Sequence, residues 1–185
     1  MINRGKFFDG YRSNLDPNKR LSQKEVNALT MFLDFVDASW KMFTVPQWAY
    51  VFATVFHETN ATFLPVKEAY WLSEDWRKKN LRYFPYYGRG YVQITWKDNY
   101  AKFSKDIGED FVKNPDLVMV PKYAFRILVD GFMNGMFTGK KISDYIHGDV
   151  KDYRNARRCI NGTDKAELIA AYAVSFENIL KDVDI

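Results

Sequence analysis

Apolar side chains recur at the spacing of an α-helix along most of the chain. Ser22 followed by Glu25 is a capping-box pattern, and it opens a stretch whose apolar residues recur every three or four positions. Thr44 with Pro46 marks a second helix start, and the apolar stripe that follows stops near Asn60. The remaining predicted elements are a loop around Asp16-Pro17-Asn18 and helices over 97–108, 121–137, 150–160 and 165–182, the third of these helices being basic.

The section between Phe63 and Tyr91 lacks this regularity. Short helical pieces that alternate with loops are predicted there. The run from Tyr91 to Thr95 is the best candidate for a strand, and it is short. The pattern predicts a mainly α protein in which residues 1–185 form a single domain, with at most a short β element near 91–95 and a cleft bordered by the irregular section.

Composition limits the classes of partner. A hydrophobic content of 47% is enough for a core, and the net charge of +4 is mild and spread along the chain. That charge suits an anionic partner, such as an acidic wall polymer or nucleic acid, and it suits an ordinary mixed surface equally well. No helix-turn-helix or aromatic RNA-binding motif accompanies the charge, so we expect no nucleic-acid partner.

Cysteine and histidine usage argues against a bound metal. Cys159 is the one cysteine, which excludes an intrachain disulfide and a cysteine-based metal site. A helix-borne zinc motif would need a second histidine four residues after His57, and residue 61 is alanine. We therefore expect no metal and no cofactor. No apolar run approaches the roughly 20 residues of a membrane span, and the first residues lack the apolar stretch of a signal peptide, so no integral membrane segment is expected.

Glu58 lies near the C-terminal end of the helix that begins at Thr44. The negative end of the helix dipole and the apolar surroundings both favour the protonated form of a carboxyl group there. A general acid that donates a proton near neutral pH needs that form. A solvated glutamate at a helix end is the ordinary alternative. We expect His57, next to it, to help orient the site through hydrogen bonds.

Residues 86–96 combine aromatic, glycine and hydrogen-bonding side chains. Gly88 and Gly90 let the backbone come close to a bound group, and the tyrosines, arginine, glutamine and threonine around them offer stacking faces and hydrogen-bonding groups. A sugar has apolar faces and hydroxyl edges, so this mixture indicates a sugar-binding segment. Three tryptophans could either lie in the core or stack on sugar rings beside a groove: Trp71, Trp76 and Trp96.

Hydrolysis of a glycosidic bond by two carboxyl groups pairs an acid with a base or a nucleophile. Glu68 is the first candidate for the second group, because Lys67 beside it helps to keep it ionised. Glu74 and Asp75 are alternatives, and they lie among residues typical of a polar face. The sequence gives no distance between carboxyl groups, so inversion and retention both remain open at this point.

Three short motifs occur in a fixed order along the chain. They are His57-Glu58-Thr59, then Tyr87-Gly88-Arg89-Gly90-Tyr91-Val92-Gln93-Ile94-Thr95 followed by Asn99-Tyr100, and finally Ile160-Asn161-Gly162. With these motifs the chain resembles glycoside hydrolase family 19, the chitinase-like family that also contains bacteriophage endolysins. The length of the chain and the phrase around residues 90–97 are most similar to the phage lysozymes of that family.

The resemblance implies a lysozyme-like helical domain with a central substrate groove, and it implies roles for individual residues. Glu58 would be the general acid, Glu68 the general base, and Thr95 would hold the attacking water. Substrate contacts are expected from six residues: His57, Tyr87, Arg89, Gln93, Asn99 and Asn161. Of these, Tyr87 and Arg89 would shape the cleft. Because members of the family invert the anomeric centre, the expected mechanism is a single displacement by water.

The chain departs from the family pattern in several places. Thr163 stands where the family has a second glycine after Asn-Gly. Plant members have an arginine in the following helix that contacts the second glutamate, and residues 165–176 contain none. The segment between Glu58 and Glu68 is also shorter than in plant chitinases. These differences suggest a shorter, more open groove that suits a cross-linked wall polymer with peptide side chains.

The expected function is that of a phage endolysin. It would hydrolyse β-1,4 bonds in the glycan strands of bacterial peptidoglycan, as a muramidase rather than a glucosaminidase, and so lyse the host cell. We expect a monomer without a separate wall-binding domain, held in the host cytoplasm until it is released to the wall. The alternatives are a chitinase of the same fold and a non-catalytic module that binds cell walls.

Overall fold

The structure is a computed structural model that describes residues 1–15 and 21–183; the loop predicted around Asp16-Pro17-Asn18 lies outside these residues. Helices dominate this part of the chain, which confirms the prediction of a mainly α protein. The α-helices of the described residues are α1 (Arg4–Leu15), α2 (Gln23–Ser39), α3 (Val45–Glu58), α4 (Glu74–Asn80), α5 (Lys97–Ile107), α6 (Pro121–Asn134) and α7 (Ala166–Asp182).

The predicted helix boundaries of α2 and α3 are set by capping groups. Ser22 donates its backbone N–H to the Glu25 carboxylate at 2.8 Å, and its hydroxyl accepts from the Glu25 backbone N–H at 3.3 Å. At the start of α3, the backbone N–H of Thr44 donates to the side-chain oxygen of Gln47 at 3.0 Å, and Pro46 lies in the first turn. Both starts are confirmed where the sequence predicted them.

Four short strands form two antiparallel pairs in the described residues. β1 (Val66–Lys67) pairs with β2 (Arg89–Gly90), and β3 (Ile146–His147) pairs with β4 (Val150–Lys151). In the first pair Val66 lies opposite Gly90 and Lys67 lies opposite Arg89.

The strand predicted from Tyr91 to Thr95 is wrong in position. The chain turns back after β2, so that Arg89 and Ile94 form a single antiparallel bridge with N–H···O distances of 3.2 and 3.0 Å. Gln93 has a positive φ of 54°, which an extended strand cannot accommodate. The β-prone side chains therefore lie in a tight turn, whose backbone groups pair within the turn itself.

The basic helix predicted over 150–160 is also wrong. Its first residues form β4, and a 3-10 helix follows over Asn155–Cys159. The carboxylate of Asp152 accepts hydrogen bonds from the Asn155 backbone N–H at 3.0 Å and from the Asn155 side chain at 2.8 Å. Such a local side-chain bond offers the backbone an alternative to regular helix, which explains the short 3-10 turn.

The described residues fall into two compact units. Unit 1 takes in Met1–Phe63 and Phe132–Ile185, and unit 2 takes in Leu64–Gly131. The expectation of a single catalytic domain stays a prediction. In the described residues, no helix is both long enough and apolar enough to cross a bilayer.

An aromatic core fixes α3 within unit 1. The rings of Phe32 and Phe52 lie 5.1 Å apart, those of Phe32 and Phe63 5.4 Å apart, and those of Phe52 and Phe176 of α7 5.3 Å apart. These four side chains are at most 1% exposed. Offset and edge-on aromatic pairs add to the free energy gained by burial. This packing holds the helix at whose C-terminal end Glu58 lies.

Glu177 of α7 is a buried carboxylate that links this helix to residues near β4. It accepts hydrogen bonds from the Tyr153 hydroxyl at 2.6 Å, from the Lys181 ammonium at 2.7 Å and from Lys151. Burial alone would raise the pKa of Glu177, but the three hydrogen bonds together outweigh burial and lower the pKa from 4.5 to about 2. The folded protein therefore stabilises the anionic form of Glu177.

We expect Glu177→Gln to make the free energy of unfolding less sensitive to acidic pH. Because the pKa of Glu177 is lower in the folded state, its contribution is complete above pH 4.5 and is lost as the pH falls towards about 2. At pH 7 the variant should lose roughly 1–3 kcal/mol of unfolding free energy. Urea denaturation between pH 2 and 7 measures both effects. Glu167→Gln, which changes an exposed glutamate of the same helix, is the control. If the free energy of unfolding of Glu177→Gln fell between pH 4.5 and 2 as steeply as that of the wild type, the lowered pKa of Glu177 would be contradicted.

Candidate functional site

Glu58 is the last residue of α3, and its carboxylate is paired with Arg157. The Arg157 Nη1 donates to Glu58 Oε1 at 2.6 Å. The side chain of Arg157 is 4% exposed and that of Glu58 is 18% exposed. The position at the helix end was predicted from the sequence, and the arginine was not.

Arg157 lies in the 3-10 helix just before the third motif. Its Nε donates to the backbone oxygen of Asp164 at 3.0 Å, and its own backbone oxygen accepts from the N–H of Asn161 at 2.9 Å. Asn161 is exposed, and its side-chain oxygen accepts from the N–H of Gly162 at 2.9 Å. Unit 1 therefore brings the first motif and the segment of the third motif together through the ion pair of Glu58 with the buried Arg157.

His57 is half-buried beside this pair. Burial lowers the pKa of His57, an effect that the cation of Arg157 reinforces and the negative charge of Glu58 opposes. In the part of the chain that the structure describes, no three His, Cys, Asp or Glu side chains are grouped so that they could hold a metal ion. The predicted substrate contacts of His57 and Asn161 stay predictions.

Glu68 follows β1 in unit 2, and both oxygens of its carboxylate accept hydrogen bonds. The Tyr83 hydroxyl donates to Oε1 at 2.6 Å, and the backbone N–H of Gly88 donates to Oε2 at 2.9 Å. The hydrogen bond to Glu68, together with burial, raises the pKa of Tyr83 to about 12. These two donors hold the carboxylate in place, and a general base must lie within hydrogen-bond reach of the proton that it takes.

Arg77 of α4 fixes the backbone that follows this carboxylate. Its Nε donates to the backbone oxygen of Glu68 and its Nη2 to that of Ala69, both at 2.9 Å. Arg77 is 5% exposed, and its Nη1 also contacts Glu74 at 3.0 Å. Glu74 in turn accepts from the Tyr87 hydroxyl at 3.0 Å, so this alternative to Glu68 is engaged in supporting the loop.

Gly88 leaves room for side chains of the protein itself. A Cβ at this position would lie 2.7 Å from the Gln93 Oε1 and 3.3 Å from the Glu68 Oε2. The Gln93 amide is not free to move away, because its Nε2 donates to the backbone oxygen of Val66 at 2.6 Å. The sequence suggested that this glycine admits a ligand, and the structure shows that it admits Gln93 and Glu68.

Thr95 and Asn99 continue the same loop. The Thr95 hydroxyl donates to the backbone oxygen of Gln93 at 3.0 Å, and the Asn99 side chain donates to the backbone oxygen of Thr95 at 2.7 Å. The side chains of Gln93, Thr95 and Asn99 are half-buried. Unit 2 therefore brings Glu68, Gln93, Thr95 and Asn99 into one hydrogen-bonded segment. Their roles in catalysis and substrate binding stay predictions.

Tyr87 and Arg89 lie inside unit 2. Tyr87 is fully buried and Arg89 is 3% exposed, with its guanidinium 3.6 Å from the centre of the Tyr87 ring. Arg89 also contacts Asp116 at 2.8 Å and the Tyr100 hydroxyl at 3.0 Å. The buried side chains of Tyr87 and Arg89 therefore support the segment 86–96 from its inner side. That position agrees with shaping a cleft, and direct binding of substrate by either residue stays a prediction.

The three tryptophans left open by the sequence are exposed, so the interpretation of them as core residues is wrong. Trp71 is 71% exposed, Trp76 37% and Trp96 47%. Tyr70 packs edge-on against Trp71 with ring centres 5.2 Å apart, and Tyr83 packs against Trp96 with ring centres 5.0 Å apart. Exposed aromatic faces of this kind are available for stacking on sugar rings.

Comparison with known proteins gives related sequences and a related fold. Chitinase 5 of Oryza sativa subsp. japonica is 35% identical over 92 residues, which are 46% of this chain and 32% of the rice protein. Inactive chitinase-like protein 1 of Hevea brasiliensis is 34% identical over 64 residues, 34% of this chain and 20% of that protein. The chain thus spans a third or less of these two relatives.

Among solved structures, chitinase C from Streptomyces griseus has a similar fold. It superposes with a TM-score of 0.62 at 21% identity, over 97% of this chain and 76% of that one. The family model described as chitinase class I matches residues 1–155, which is most of the chain. The chain therefore belongs to the chitinase class I family, glycoside hydrolase family 19.

Proposed function

We propose that the chain hydrolyses β-1,4 glycosidic bonds by a single displacement, with Glu58 as general acid and Glu68 as general base. The observation that carries this proposal is the environment of Glu68, whose carboxylate oxygens accept from the Tyr83 hydroxyl and the Gly88 N–H. A base of this kind takes a proton from water as the water attacks the sugar, and Thr95 would hold that water.

The two carboxyl groups have different partners, which suits two different roles. Glu68 is bound by a hydroxyl and a backbone amide, whereas Glu58 is bound by a guanidinium at the end of a helix. Inverting glycosidases use one carboxylic acid to protonate the leaving oxygen and one carboxylate to activate water. The family membership supports the same division of roles.

Peptidoglycan is the substrate that we propose. The net charge of +4 favours a wall that carries acidic polymers. The exposed rings of Trp71 and Trp96 offer stacking faces for the sugars of a glycan strand. An endolysin of this type would act as a monomer, remain in the host cytoplasm until its release and then lyse the cell by cutting the wall.

Chitin is the second candidate, because the sequence relatives include a protein named as a chitinase. A third candidate is a wall-binding module without activity, since another relative carries the name inactive chitinase-like protein. The three candidates differ in what they release from each polymer, so they can be separated by one set of digests.

Purified peptidoglycan and chitin oligomers should be digested in parallel, and new reducing ends measured. We expect release from peptidoglycan to exceed release from chitin, and mass spectrometry to place muramic acid at the new reducing end. Proton NMR of the first product should show the α anomer, because a single displacement inverts a β bond. Binding to both polymers without reducing ends would contradict the proposal and support the binding module, and faster release from chitin would support the chitinase.

A further inference from the structure

Arg82 is an exposed cation of unit 2 that contacts no carboxylate of the described residues. The other arginines of this unit, whose residues 64–131 are all described, each contact one: Arg77 with Glu74, Arg89 with Asp116 and Arg126 with Asp130. The guanidinium of Arg82 instead lies over the ring of Trp96, 5.1 Å from its centre. A cation at this distance is attracted to the face of an indole, so the contact holds Arg82 at the ring.

Trp96 is itself fixed beside the candidate base. Its backbone N–H donates to the backbone oxygen of Tyr86 at 2.8 Å, and its ring packs edge-on against Tyr83 with ring centres 5.0 Å apart. The Tyr83 hydroxyl donates to Glu68 Oε1 at 2.6 Å. Direct contacts therefore lead from the Glu68 carboxylate through two aromatic rings to the guanidinium of Arg82.

The charge of Arg82 acts on the same hydroxyl that binds Glu68. The hydrogen bond to Glu68 and burial raise the pKa of Tyr83 to about 12, and the positive charge of Arg82 opposes that rise. Because salt screens charges at an exposed surface, such an effect requires the two groups to be near each other. Arg82 therefore lies close to the carboxylate that would act on a bound sugar.

The guanidinium of Arg82 is suited to binding an anion. Its N–H groups form a planar fork that matches the two oxygens of a carboxylate, and no described carboxylate occupies that fork. An arginine that already lies against a ring also has fewer conformations to lose on binding than a freely rotating one. The structure thus holds a positive charge in place, beside Glu68, for a ligand of opposite charge.

We infer that Arg82, held by Trp96, binds a carboxylate carried by the glycan and makes the site prefer an acidic glycan over a neutral one. Its place beside the cleaved bond rests on the proposed function of Glu68. In peptidoglycan every second sugar carries a lactyl group, which ends in a carboxylate or in a peptide that has carboxylates of its own. The sugars of chitin carry no such charge. Arg82 would therefore contribute to the choice between the two polymers.

Equilibrium binding to three tetrasaccharides with the same β-1,4 backbone tests this role. One contains N-acetylglucosamine alone. The second alternates it with N-acetylmuramic acid whose lactyl carboxylates are free, and in the third each lactyl group is linked to an alanyl-glutamate dipeptide. Calorimetric titration into Glu58→Gln, a variant that is expected not to cut these probes, gives the dissociation constant of each. The preference for an acidic probe is its affinity divided by that of the neutral tetrasaccharide.

We expect Arg82→Gln, made in the Glu58→Gln protein, to lower the preference for at least one acidic probe by about fivefold. An ion pair at an exposed site contributes up to about this factor. A fall for the free lactyl form alone assigns the carboxylate to the sugar, and a fall for the dipeptide form alone assigns it to the peptide. If neither preference falls, or if neither acidic probe binds the protein that carries Arg82, the inference is overturned.

The matched control is Arg12→Gln, which removes the same charge from an exposed arginine of α1. We expect it to leave both preferences unchanged. An equal fall in the two variants would show that the net charge of the chain sets the preference, and would also overturn the inference. Arg82→Lys keeps the charge but lacks the planar fork, so an intermediate fall is expected.

The contribution of Trp96 is measured by a double-mutant cycle. Trp96→Leu removes the ring that holds the guanidinium, so Arg82→Gln should change the preference less in the Trp96→Leu protein than in its presence. Circular dichroism shows whether each variant is folded. Effects of the two substitutions that simply add would contradict the role of Trp96 in holding Arg82.

Failure of this inference can be distinguished from failure of the proposed function. Wild-type protein that releases no reducing ends from peptidoglycan or chitin contradicts the proposed function, whereas the titrations, which need no cleavage, still decide whether Arg82 binds a carboxylate. Conversely, an active enzyme in which Arg82→Gln leaves both preferences unchanged contradicts only the role of Arg82.

Discussion

Glu58→Gln is expected to lower kcat for glycan hydrolysis by about 10²–10⁴-fold, because glutamine cannot donate the proton that the leaving oxygen requires. In the wild type, Arg157 Nη1 donates to Glu58 Oε1 at 2.6 Å. The amide oxygen of glutamine can accept the same hydrogen bond, so we expect the side chain to stay in place. Release of reducing ends from peptidoglycan measures the rate, and thermal unfolding shows whether the fold is intact.

The matched control for this change is Glu167→Gln, which alters an exposed glutamate on α7. We expect that variant to keep the activity of the wild type. Full activity in Glu58→Gln would remove Glu58 from the mechanism and, with it, the assignment of the first motif. Loss of activity together with a lowered melting temperature would point to a structural cause instead.

Glu68→Gln is expected to show the second largest loss, because glutamine cannot accept a proton from the attacking water. Azide, which needs no base, should restore part of the rate and give a glycosyl azide of inverted configuration. The same azide should not rescue Glu58→Gln, since that variant lacks the acid. A product of retained configuration would contradict the role of Glu68 as a base.

Tyr83→Phe offers a graded version of the same experiment. It removes one of the two donors to the Glu68 carboxylate and leaves the Gly88 N–H in place. The Tyr83 hydroxyl fixes the position of the carboxylate, so a loss of roughly tenfold in kcat is expected because the base is then less well placed. The loss should be smaller than in Glu68→Gln, and azide should reduce it.

The helix ends and the motif positions could be predicted because they depend on neighbours in sequence. The capping pair of Ser22 and Glu25, and the position of Glu58 at the end of α3, both follow from local patterns. The strand predicted at 91–95 failed because the preference of single residues for strand was overridden by a turn with a positive φ at Gln93. The strand preferences of the single residues do not indicate that turn.

The partners of the two carboxylates could not be predicted for a different reason. Arg157 is 99 residues from Glu58 and was predicted to lie in a basic helix over 150–160, whereas the structure buries it in a 3-10 turn. Tyr83 and Arg77 lie in the irregular middle section, where no periodicity indicates which side chains turn inwards. The one available signal was the position of Arg157 shortly before the Ile-Asn-Gly motif.

The two hydrogen bonds from Arg77 have a consequence for how the protein could be adapted. They fix the backbone oxygens of Glu68 and Ala69, and the chain emerges from this fixed point directly into the exposed residues Tyr70 and Trp71. Because the backbone is fixed before these two exposed positions, we expect substitutions at Tyr70 and Trp71 to leave the Glu68 carboxylate in place. A library of variants at 70 and 71 should therefore retain the hydrogen bonds that hold Glu68, and its activity on different polymers would show whether these two residues contact the substrate.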